Sequence, residues 1–295
     1  MTLTINKKTD TPGKVYLVGA GPGAVDLITV RGANLLARAD IVFYDALVDP
    51  EMLELCPQAI QVAVGKRCGK LSSAQQFINK RLVDAAQKHQ LIVRLKGGDP
   101  MLFGRTDEEI TALKQAGVKV EVVPGITAAL AGAASIQQSL TLRGVSRSVA
   151  FITLAQGNEN VAPGQPIANP NADTLVYYMG RKDAARIAQQ LIDKSPNQNS
   201  NTPVHILEAV STLRERLWAS TLEELAAGKA DGWFDSNSPA LIMVGEALKN
   251  HHRNHHQNHH EHQSEHSAED LERSSGEIDN RLQDSEILTN GRRRA

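Results

Sequence analysis

The chain has 295 residues, of which 41% are hydrophobic and 4% aromatic, and a formal net charge of −1 at pH 7, which together suit a globular protein of up to two domains. No apolar run approaches the roughly 20 residues of a membrane-spanning helix, and no Lys/Arg-rich face with interleaved aromatics suggests nucleic acid, so we expect neither a membrane nor a nucleic-acid partner. Two cysteines without metal-ligand spacing, and an N-terminus without a signal-peptide pattern, predict a cytoplasmic protein with no metal site in its folded part.

The first part of the chain alternates predicted strands and helices after a flexible leader at residues 1–13. The predicted strands are Lys14–Val18, Ile41–Tyr44, Ala59–Val64, Leu91–Leu95 and Val118–Val123. The predicted helices are Asp26–Ala39, Ser73–His89 and a segment from Thr106 to about Gly117. This alternation predicts a mostly parallel, helix-covered sheet in an N-terminal α/β domain at residues 14–125.

Two loops in this half are rich in glycine. Gly19 to Ala24 has the Gly-x-Gly-x-x-Ala pattern between a strand and a helix, and Asp45 follows about 20 residues later, as in dinucleotide-binding proteins. Against that interpretation, Pro22 removes one backbone N–H from the loop. The second loop, Gly97 to Pro100, follows a buried strand, and these four residues alone fit a tight turn as well as a ligand-binding loop.

The helix after the second loop begins with a recognisable start pattern. Thr106 and Glu109 have the spacing of a capping box. The pattern predicts that Thr106 caps the helix and that Glu109 reaches back to the first turn.

A second alternating half follows, beginning with a small-residue helix at about Thr127–Gln138. The predicted strands are Ser148–Leu154, Thr174–Tyr178, Val204–Glu208 and Ala240–Val244, and the predicted helices are Ala184–Asp193 and Leu222–Ala227. They indicate a C-terminal α/β domain at residues 126–248. A cleft between two such domains is a favoured place for a ligand.

The tail at residues 249–295 differs in composition. Eight of the ten histidines lie between His251 and His266, mostly as His-His pairs separated by polar residues. So polar a segment predicts disorder. Paired imidazoles suit divalent metals, whereas a solvated low-complexity extension explains the same residues without any ligand.

Six motifs, in order and at compatible spacing over about residues 14–248, closely resemble the tetrapyrrole methylases, and within them the uroporphyrinogen-III C-methyltransferases. The motifs are Val18–Gly23, Tyr44-Asp45, Val64–Arg67, Val93–Arg105, Val122–Thr127 and Tyr178–Gly180. Each motif alone is weak, but an unrelated dinucleotide-binding protein has no reason to contain Gly-Gly-Asp-Pro and Pro-Gly-Ile-Thr at these places.

The resemblance implies two α/β domains of the class III methyltransferase type with an intervening cleft, assembled as a homodimer. It implies methylation of uroporphyrinogen III at C2 and C7, giving precorrin-2 for sirohaem or cobalamin biosynthesis. The implied methyl donor is S-adenosylmethionine, which leaves as S-adenosylhomocysteine.

The resemblance also assigns roles to individual residues. Asp45 matches the proposed base and Lys66 the proposed proton donor; without the resemblance, they read as a strand-end carboxylate and a solvated lysine. The residues implied for donor binding are Pro22, Gly97, Gly98, Asp99, Leu102, Thr127, Ala128, Met179 and Val210. The residues expected to bind the carboxylate-rich substrate are Arg105, Glu108, Arg143 and Arg147, for which surface ion pairing is the simpler alternative.

Three positions depart from the family pattern. Ala46 follows Asp45 where arginine is common, Leu142 replaces a histidine, and Val210 stands where a glycine is expected. These departures leave room for a methylase of a later precorrin, or for a non-catalytic tetrapyrrole- or metal-binding protein. A nicotinamide-dependent oxidoreductase, suggested by the Gly19 to Ala24 loop, is the alternative from another enzyme class.

Overall fold

The structure is a computed structural model that describes residues 11–64, 71–154 and 170–249, with the side chains of residues 71–74 excepted. Lys66, the first ten residues and the histidine-rich part of the tail lie outside the described residues. The described chain contains two five-stranded sheets, one in each half of the sequence.

The first sheet, which was predicted to be mostly parallel, is wholly parallel and has the strand order β3-β2-β4-β1-β5. Its strands are β1 (Lys14–Gly19), β2 (Ile41–Tyr44), β3 (Ile60–Ala63), β4 (Leu91–Lys96) and β5 (Val120–Val123). Hydrophobic clusters cover both faces, because successive side chains such as Ile92 and Val93 enter opposite clusters. This arrangement brings the carboxyl ends of β1, β2 and β4 together at one edge.

The helices of this half are α1 (Val30–Leu36), α2 (Leu71–Ala86) and α3 (Thr106–Gln115). The prediction of a continuous helix from Asp26 was wrong. A short 3-10 turn, Val25–Leu27, precedes extended residues, and α1 begins only after Thr29. The Thr29 hydroxyl accepts a hydrogen bond from the Gly32 N–H at 3.1 Å, so this side chain caps the helix at that point.

The second sheet is mixed, with strand order β6-β7-β10-β8-β9. Its strands are β6 (Val149–Thr153), β7 (Thr174–Tyr178), β8 (Pro203–Glu208), β9 (Arg216–Thr221) and β10 (Ala240–Val244). Only β6 and β7 pair in parallel, whereas the other pairings are antiparallel. Strand β9 was not predicted, because it is an edge strand whose residues are half-buried or exposed, and no buried apolar run marks it in the sequence.

The helices of this half are α4 (Ala128–Ser135), α5 (Ala184–Lys194) and α6 (Leu222–Ala226). Short 3-10 turns also occur at Pro50–Leu55, Arg181–Asp183 and Glu246–Leu248. The small side chains of α4, among them Ala129 and Ala133, lie in one cluster with Leu207 and Met243 of the sheet. Alanine there permits close helix–sheet packing, which explains the composition of this segment.

Both sheets belong to one compact unit that ends at Leu248. The predicted domain boundary at residues 125 and 126 falls between β5 and α4, and the division into two domains stays a prediction. Within residues 11–64, 71–154 and 170–249, no helix is both long and apolar enough to cross a bilayer.

His205 is the one histidine of β8, and it lies buried on the face of the second sheet that α4 covers. Its neighbours in register are Met243 and Ala219. Its Nδ1 atom has no hydrogen-bond partner among the described residues. Burial disfavours the imidazolium and lowers the pKa of His205.

We therefore expect His205 to make the fold less stable in mild acid. The unfolded chain takes up a proton at this histidine below about pH 6.5, while the folded chain resists it. Stability is therefore greatest above that pH and falls as pH decreases toward 5. In His205→Leu, the temperature of thermal unfolding should depend less on pH between about 7.5 and 5 than it does in the native chain. The other histidines are the same in both chains, so their contribution cancels when the two pH curves are subtracted. Parallel pH curves for the two chains would contradict this account.

Candidate active site

Three glycine-containing loops meet at the carboxyl ends of β1, β4 and β5. Gly21 and Gly98 exchange backbone hydrogen bonds of 3.2 and 2.7 Å. A Cβ atom on Gly19 would lie 2.6 Å from the Gly125 Cα and 2.7 Å from the Gly98 carbonyl oxygen. Side chains are therefore excluded here, and the backbones themselves form the floor of the site.

Asp99 joins two of these loops. Its Oδ1 accepts a hydrogen bond from the Met101 N–H at 2.8 Å, and its Oδ2 accepts one from the Gly125 N–H at 2.9 Å. The Leu102 N–H donates to the Asp99 carbonyl oxygen at 3.3 Å. The Asp99 carboxylate thus fixes the loop after β4 to the end of β5, and its role in donor binding stays a prediction.

The second half of the chain contributes the segment after β8 to the same place. The Ala24 N–H donates to the Ser211 Oγ at 3.0 Å. A Cβ atom on Gly23 would lie 2.9 Å from the Val210 carbonyl oxygen. The Val210 side chain itself is buried in the cluster around α4, so this residue presents its main chain to the loop that contains Pro22.

The segment after β7 approaches from the other side. The Tyr178 hydroxyl hydrogen-bonds with the Thr127 Oγ1 at 2.6 Å and accepts from the Ala129 N–H at 3.2 Å, next to Ala128 at the start of α4. The Phe103 ring contacts the Tyr178 ring edge-on, with centroids 5.2 Å apart. Burial raises the pKa of Tyr178, so its hydroxyl stays protonated. Met179 follows and is 54% exposed.

We call this region the strand-end junction; it comprises residues 19–24, 97–105, 124–128, 178–180 and 209–212. Non-glycine residues with positive φ angles are frequent in it: Phe103, Arg105, Met179, Ala209 and Ser211. Such conformations cost free energy and persist only where the surroundings impose them. Their concentration supports a functional site.

Asp45, the implied base, lies directly after β2 beside the strand-end junction. Its Oδ1 accepts a hydrogen bond from the Leu47 N–H at 3.1 Å, and its Oδ2 lies 3.6 Å from the Arg94 Nη2. A Cβ atom on Gly97 would lie 2.6 Å from the Leu47 Cβ, so the turn after Asp45 directly contacts the Gly97–Pro100 loop. Lys66, its implied partner, is outside the described residues.

A buried charge cluster lies beneath Asp45. The wholly buried Glu109 receives hydrogen bonds from the Arg94 Nε at 3.2 Å, the Lys96 Nζ at 2.9 Å and the Gln75 Nε2 at 3.3 Å. Desolvation lowers the pKa of Lys96, and the Glu109 charge opposes that shift. Both cations thus contact one buried carboxylate, that of Glu109.

The capping-box prediction for α3 was wrong for this reason. Arg105, in a left-handed conformation, occupies the N-cap position, and no side chain caps the helix there. The Thr106 hydroxyl instead donates to the Pro100 carbonyl oxygen. Two buried cations attract the Glu109 carboxylate away from the helix start, because leaving them unpaired would cost more than a missing cap.

Two predicted substrate-binding residues pair with each other. The Arg105 Nε and Nη2 donate to the two Glu108 carboxylate oxygens at 2.6 and 2.9 Å. Both side chains are 42% exposed, so the pair faces solvent at the edge of the strand-end junction. A substrate carboxylate would have to compete with Glu108 for this guanidinium.

The other two predicted arginines are exposed and lie elsewhere. Arg147 precedes the amino end of β6, and its N–H donates to the Asp173 Oδ2 at 2.8 Å. Because β6 and β7 are parallel, this end of the sheet is opposite to the end at which Met179 follows β7. Arg143 lies in the turn closed by the Leu142–Ser146 bridge. The structure therefore does not bring either residue into contact with Asp45, and their role stays a prediction.

The dinucleotide-binding interpretation does not fit the first glycine loop. Its Ala20, Gly21 and Ala24 N–H groups donate to Lys96, Gly98 and Ser211 of the protein itself. The loop leads to a 3-10 turn, and α1 starts only at Val30. A pyrophosphate would find these three amides already bonded within the protein and no helix N-terminus directly after the glycines.

Arg94, Lys96 and Glu109 were not singled out from the sequence as site residues. A signal was present, because Arg94 and Lys96 alternate in an otherwise apolar strand and therefore point to one face. Two cations on a buried face require a buried anion. Which carboxylate supplies it depends on how α3 lies on the sheet.

Comparison with known proteins places the chain among tetrapyrrole methylases. Residues 14–226 match the family model "Tetrapyrrole (Corrin/Porphyrin) Methylases". The chain is similar to the uroporphyrin-III C-methyltransferase of Thermus thermophilus, whose structure was solved with S-adenosyl homocysteine. The two are 37% identical, with a TM-score of 0.66, and the match covers 80% of this chain and 94% of that one. A cobalt precorrin-4 methyltransferase is 27% identical, with a TM-score of 0.66, over 80% and 96% of the two chains.

Curated relatives named siroheme synthase are similar over part of their length. Those of Psychrobacter sp. and Pseudomonas fluorescens are 41% and 42% identical over 81% and 80% of this chain, but over only 48% and 50% of their own sequences. The chain thus spans about half the length of the curated relatives it matches.

The buried cluster gives a stability prediction. Glu109→Gln removes the buried carboxylate that both Arg94 and Lys96 contact, which leaves Lys96 without a carboxylate and should lower the free energy of unfolding by about 3–5 kcal/mol. The matched control is Glu121→Gln, which removes the partly exposed carboxylate bonded to Lys14 at 2.6 Å and should cost less than about 1 kcal/mol. Urea unfolding measures both, and similar losses in the two variants would refute the role given to Glu109.

Proposed function

The chain belongs to the tetrapyrrole methylase family, and from this membership we propose that it is an S-adenosylmethionine-dependent methyltransferase whose substrate is uroporphyrinogen III. We propose methylation at C2 and C7, giving precorrin-2. The observation on which the proposal chiefly rests is that the Asp45 turn touches the Gly97–Pro100 loop, so a proton acceptor and a backbone cradle adjoin each other.

The strand-end junction fits the methyl donor in its shape and chemistry. The Cβ side of Gly98 is open, with no atom within 4 Å, and its φ of 68° turns the backbone in a way that favours glycine. We propose that this open backbone, with Gly97, Asp99, Leu102 and Pro22, lines the donor site. Thr127, Ala128, Met179 and Val210 would line it from the second half of the chain, with Met179 offering an adaptable thioether surface.

Holding donor and acceptor in line is the main task of such a site. The sulfonium of the donor supplies an electrophilic methyl group, which the electron pair of an electron-rich pyrrole carbon takes. The ring then carries a positive charge until it loses a proton. We propose that the Asp45 carboxylate accepts that proton and that Lys66 assists the proton transfers.

The substrate of the proposed reaction is rich in carboxylates, so cationic side chains should orient it. Arg105 is our first candidate, because it lies at the edge of the strand-end junction and its guanidinium already holds a carboxylate in two hydrogen bonds. Glu108 would be displaced or would face the pyrrole N–H groups. Arg143 and Arg147 are proposed to bind more distant carboxylates.

A second candidate function is methylation of a later precorrin. It is supported by the cobalt precorrin-4 methyltransferase, whose TM-score equals that of the Thermus thermophilus structure with its ligand. The higher identity of the latter, 37% against 27%, favours uroporphyrinogen III.

One assay tests the proposed activity. The purified chain is incubated with anaerobically generated uroporphyrinogen III and S-adenosylmethionine, and the expected product is dimethylated. Asp45→Asn should lower kcat by about 100-fold or more while sparing donor affinity, because it removes the proton acceptor. Asp49→Asn is the matched control, since Asp49 makes a similar turn hydrogen bond to the Glu51 N–H at 3.0 Å. Donor binding without any methylation would refute the activity, and methylation of a later precorrin alone would favour the second candidate.

We also propose that the protein is a cytoplasmic homodimer. We further propose that its histidine-rich tail binds a divalent metal. No three metal-ligating side chains converge in the described part of the chain, so retention should depend on the tail. Comparing the full chain with one truncated after Leu248 tests both points. Light scattering should give a dimer for each chain and methylation should survive truncation, whereas zinc or nickel retention should be lost. Equal retention by both chains would rule out chelation by the tail.

A further inference from the structure

One guanidinium in the core of the first sheet reaches the carboxylate to which we assign proton removal. The Arg94 side chain is only 5% exposed, and its Nη2 lies 3.6 Å from the Asp45 Oδ2. We propose that Arg94 is a positioning residue that fixes the orientation of the Asp45 carboxylate for proton removal. This inference rests on the proposed function.

Both oxygens of Asp45 have a protein contact. Oδ1 accepts a hydrogen bond from the Leu47 N–H at 3.1 Å, and Oδ2 faces Arg94. The Val48 N–H closes the same turn on the Asp45 carbonyl oxygen at 3.3 Å. A carboxylate contacted at both oxygens has little freedom to rotate, and it remains 26% exposed for a reacting group. A fixed orientation matters because small displacements of a catalytic group strongly lower the rate of the catalysed reaction.

Arg94 is itself held rigidly. Its Nε donates to the Glu109 Oε1 at 3.2 Å, and its Nη1 donates to the Leu95 carbonyl oxygen at 2.9 Å. These two bonds direct the remaining nitrogen toward Asp45, because the guanidinium is planar. A lysine is a point charge on a flexible stem and cannot make the three contacts together.

The charge balance of the buried cluster also points to Asp45. Glu109 carries one negative charge and contacts two cations, Arg94 and Lys96. Lys96 alone would neutralise it, at 2.9 Å, and Lys96 additionally donates to the Gly104 carbonyl oxygen at 2.7 Å. The second cation therefore exceeds what Glu109 requires, and Asp45 is the carboxylate that balances it.

A double-mutant cycle separates positioning from a merely structural role. We expect Arg94→Lys to lower kcat for methylation about tenfold or more, while KM and the Kd for S-adenosylhomocysteine change less than about twofold. In an Asp45→Asn background, the same change should lower the residual single-turnover rate less than about twofold, because the carboxylate on which Arg94 acts is gone. Unchanged kcat in the single variant, or equal losses in both backgrounds, would overturn the inference.

The matched control is Arg31→Lys. Arg31 lies 3.6 Å from the Glu121 carboxylate, the same separation as between Arg94 and Asp45, but on an exposed surface. It should leave kcat unchanged. If Arg94→Lys does not unfold cooperatively, Arg94→Met replaces it, since this variant leaves the Lys96–Glu109 pair intact.

A crystallographic comparison tests the inference independently of activity. In Arg94→Lys or Arg94→Met, the Asp45 carboxylate should rotate or occupy more than one conformation, whereas the native chain should show one. An unmoved Asp45 would overturn the positioning role even in an active enzyme. If the native chain methylates no tetrapyrrole, the proposed function is refuted. The effect of Arg94 on the orientation of the Asp45 carboxylate would still be tested by the crystal structures.

Discussion

The carboxylate of Glu109 is fully buried and is compensated by two cations from one strand of the first sheet. Taking each of these ions out of water costs several kcal/mol, so they are tolerated only together. Through Arg94 the cluster reaches Asp45, and through Lys96 it holds the Gly104 carbonyl oxygen. The position of the proposed base relative to the loop after β4 therefore depends on one ion cluster and not on apolar packing alone.

The two halves of the chain meet where the backbone makes its closest approaches. Gly23 admits the Val210 carbonyl oxygen, and the Thr127 and Tyr178 hydroxyls join the start of α4 to the end of β7. Several residues there accept positive φ angles that their side chains disfavour. At the strand-end junction the fold thus imposes backbone angles that these residue types disfavour. Such strained conformations are expected at functional sites.

The structure bears differently on the three departures from the family pattern. Ala46 is exposed beside Asp45, so the missing arginine leaves one cation fewer near the proposed base. Leu142 forms the Leu142–Ser146 bridge through its main chain, which any residue can do. Val210 turns its side chain into the core, so the missing glycine does not place extra bulk in the strand-end junction.

The parallel first sheet and the places of its glycine loops follow from the amino-acid pattern alone. Alternating strands and helices indicate a parallel sheet, and apolar runs that end in glycine indicate buried strands followed by turns. The pattern did not determine β9, whose half-exposed residues show no buried pattern, or the interruption before α1, which depends on the Thr29 cap. The partner of the Glu109 carboxylate, by contrast, depends on how the helices pack on the sheet. The Glu109 carboxylate could serve either in a capping box or in a buried ion pair. It forms the ion pair because α3 places it next to Arg94 and Lys96.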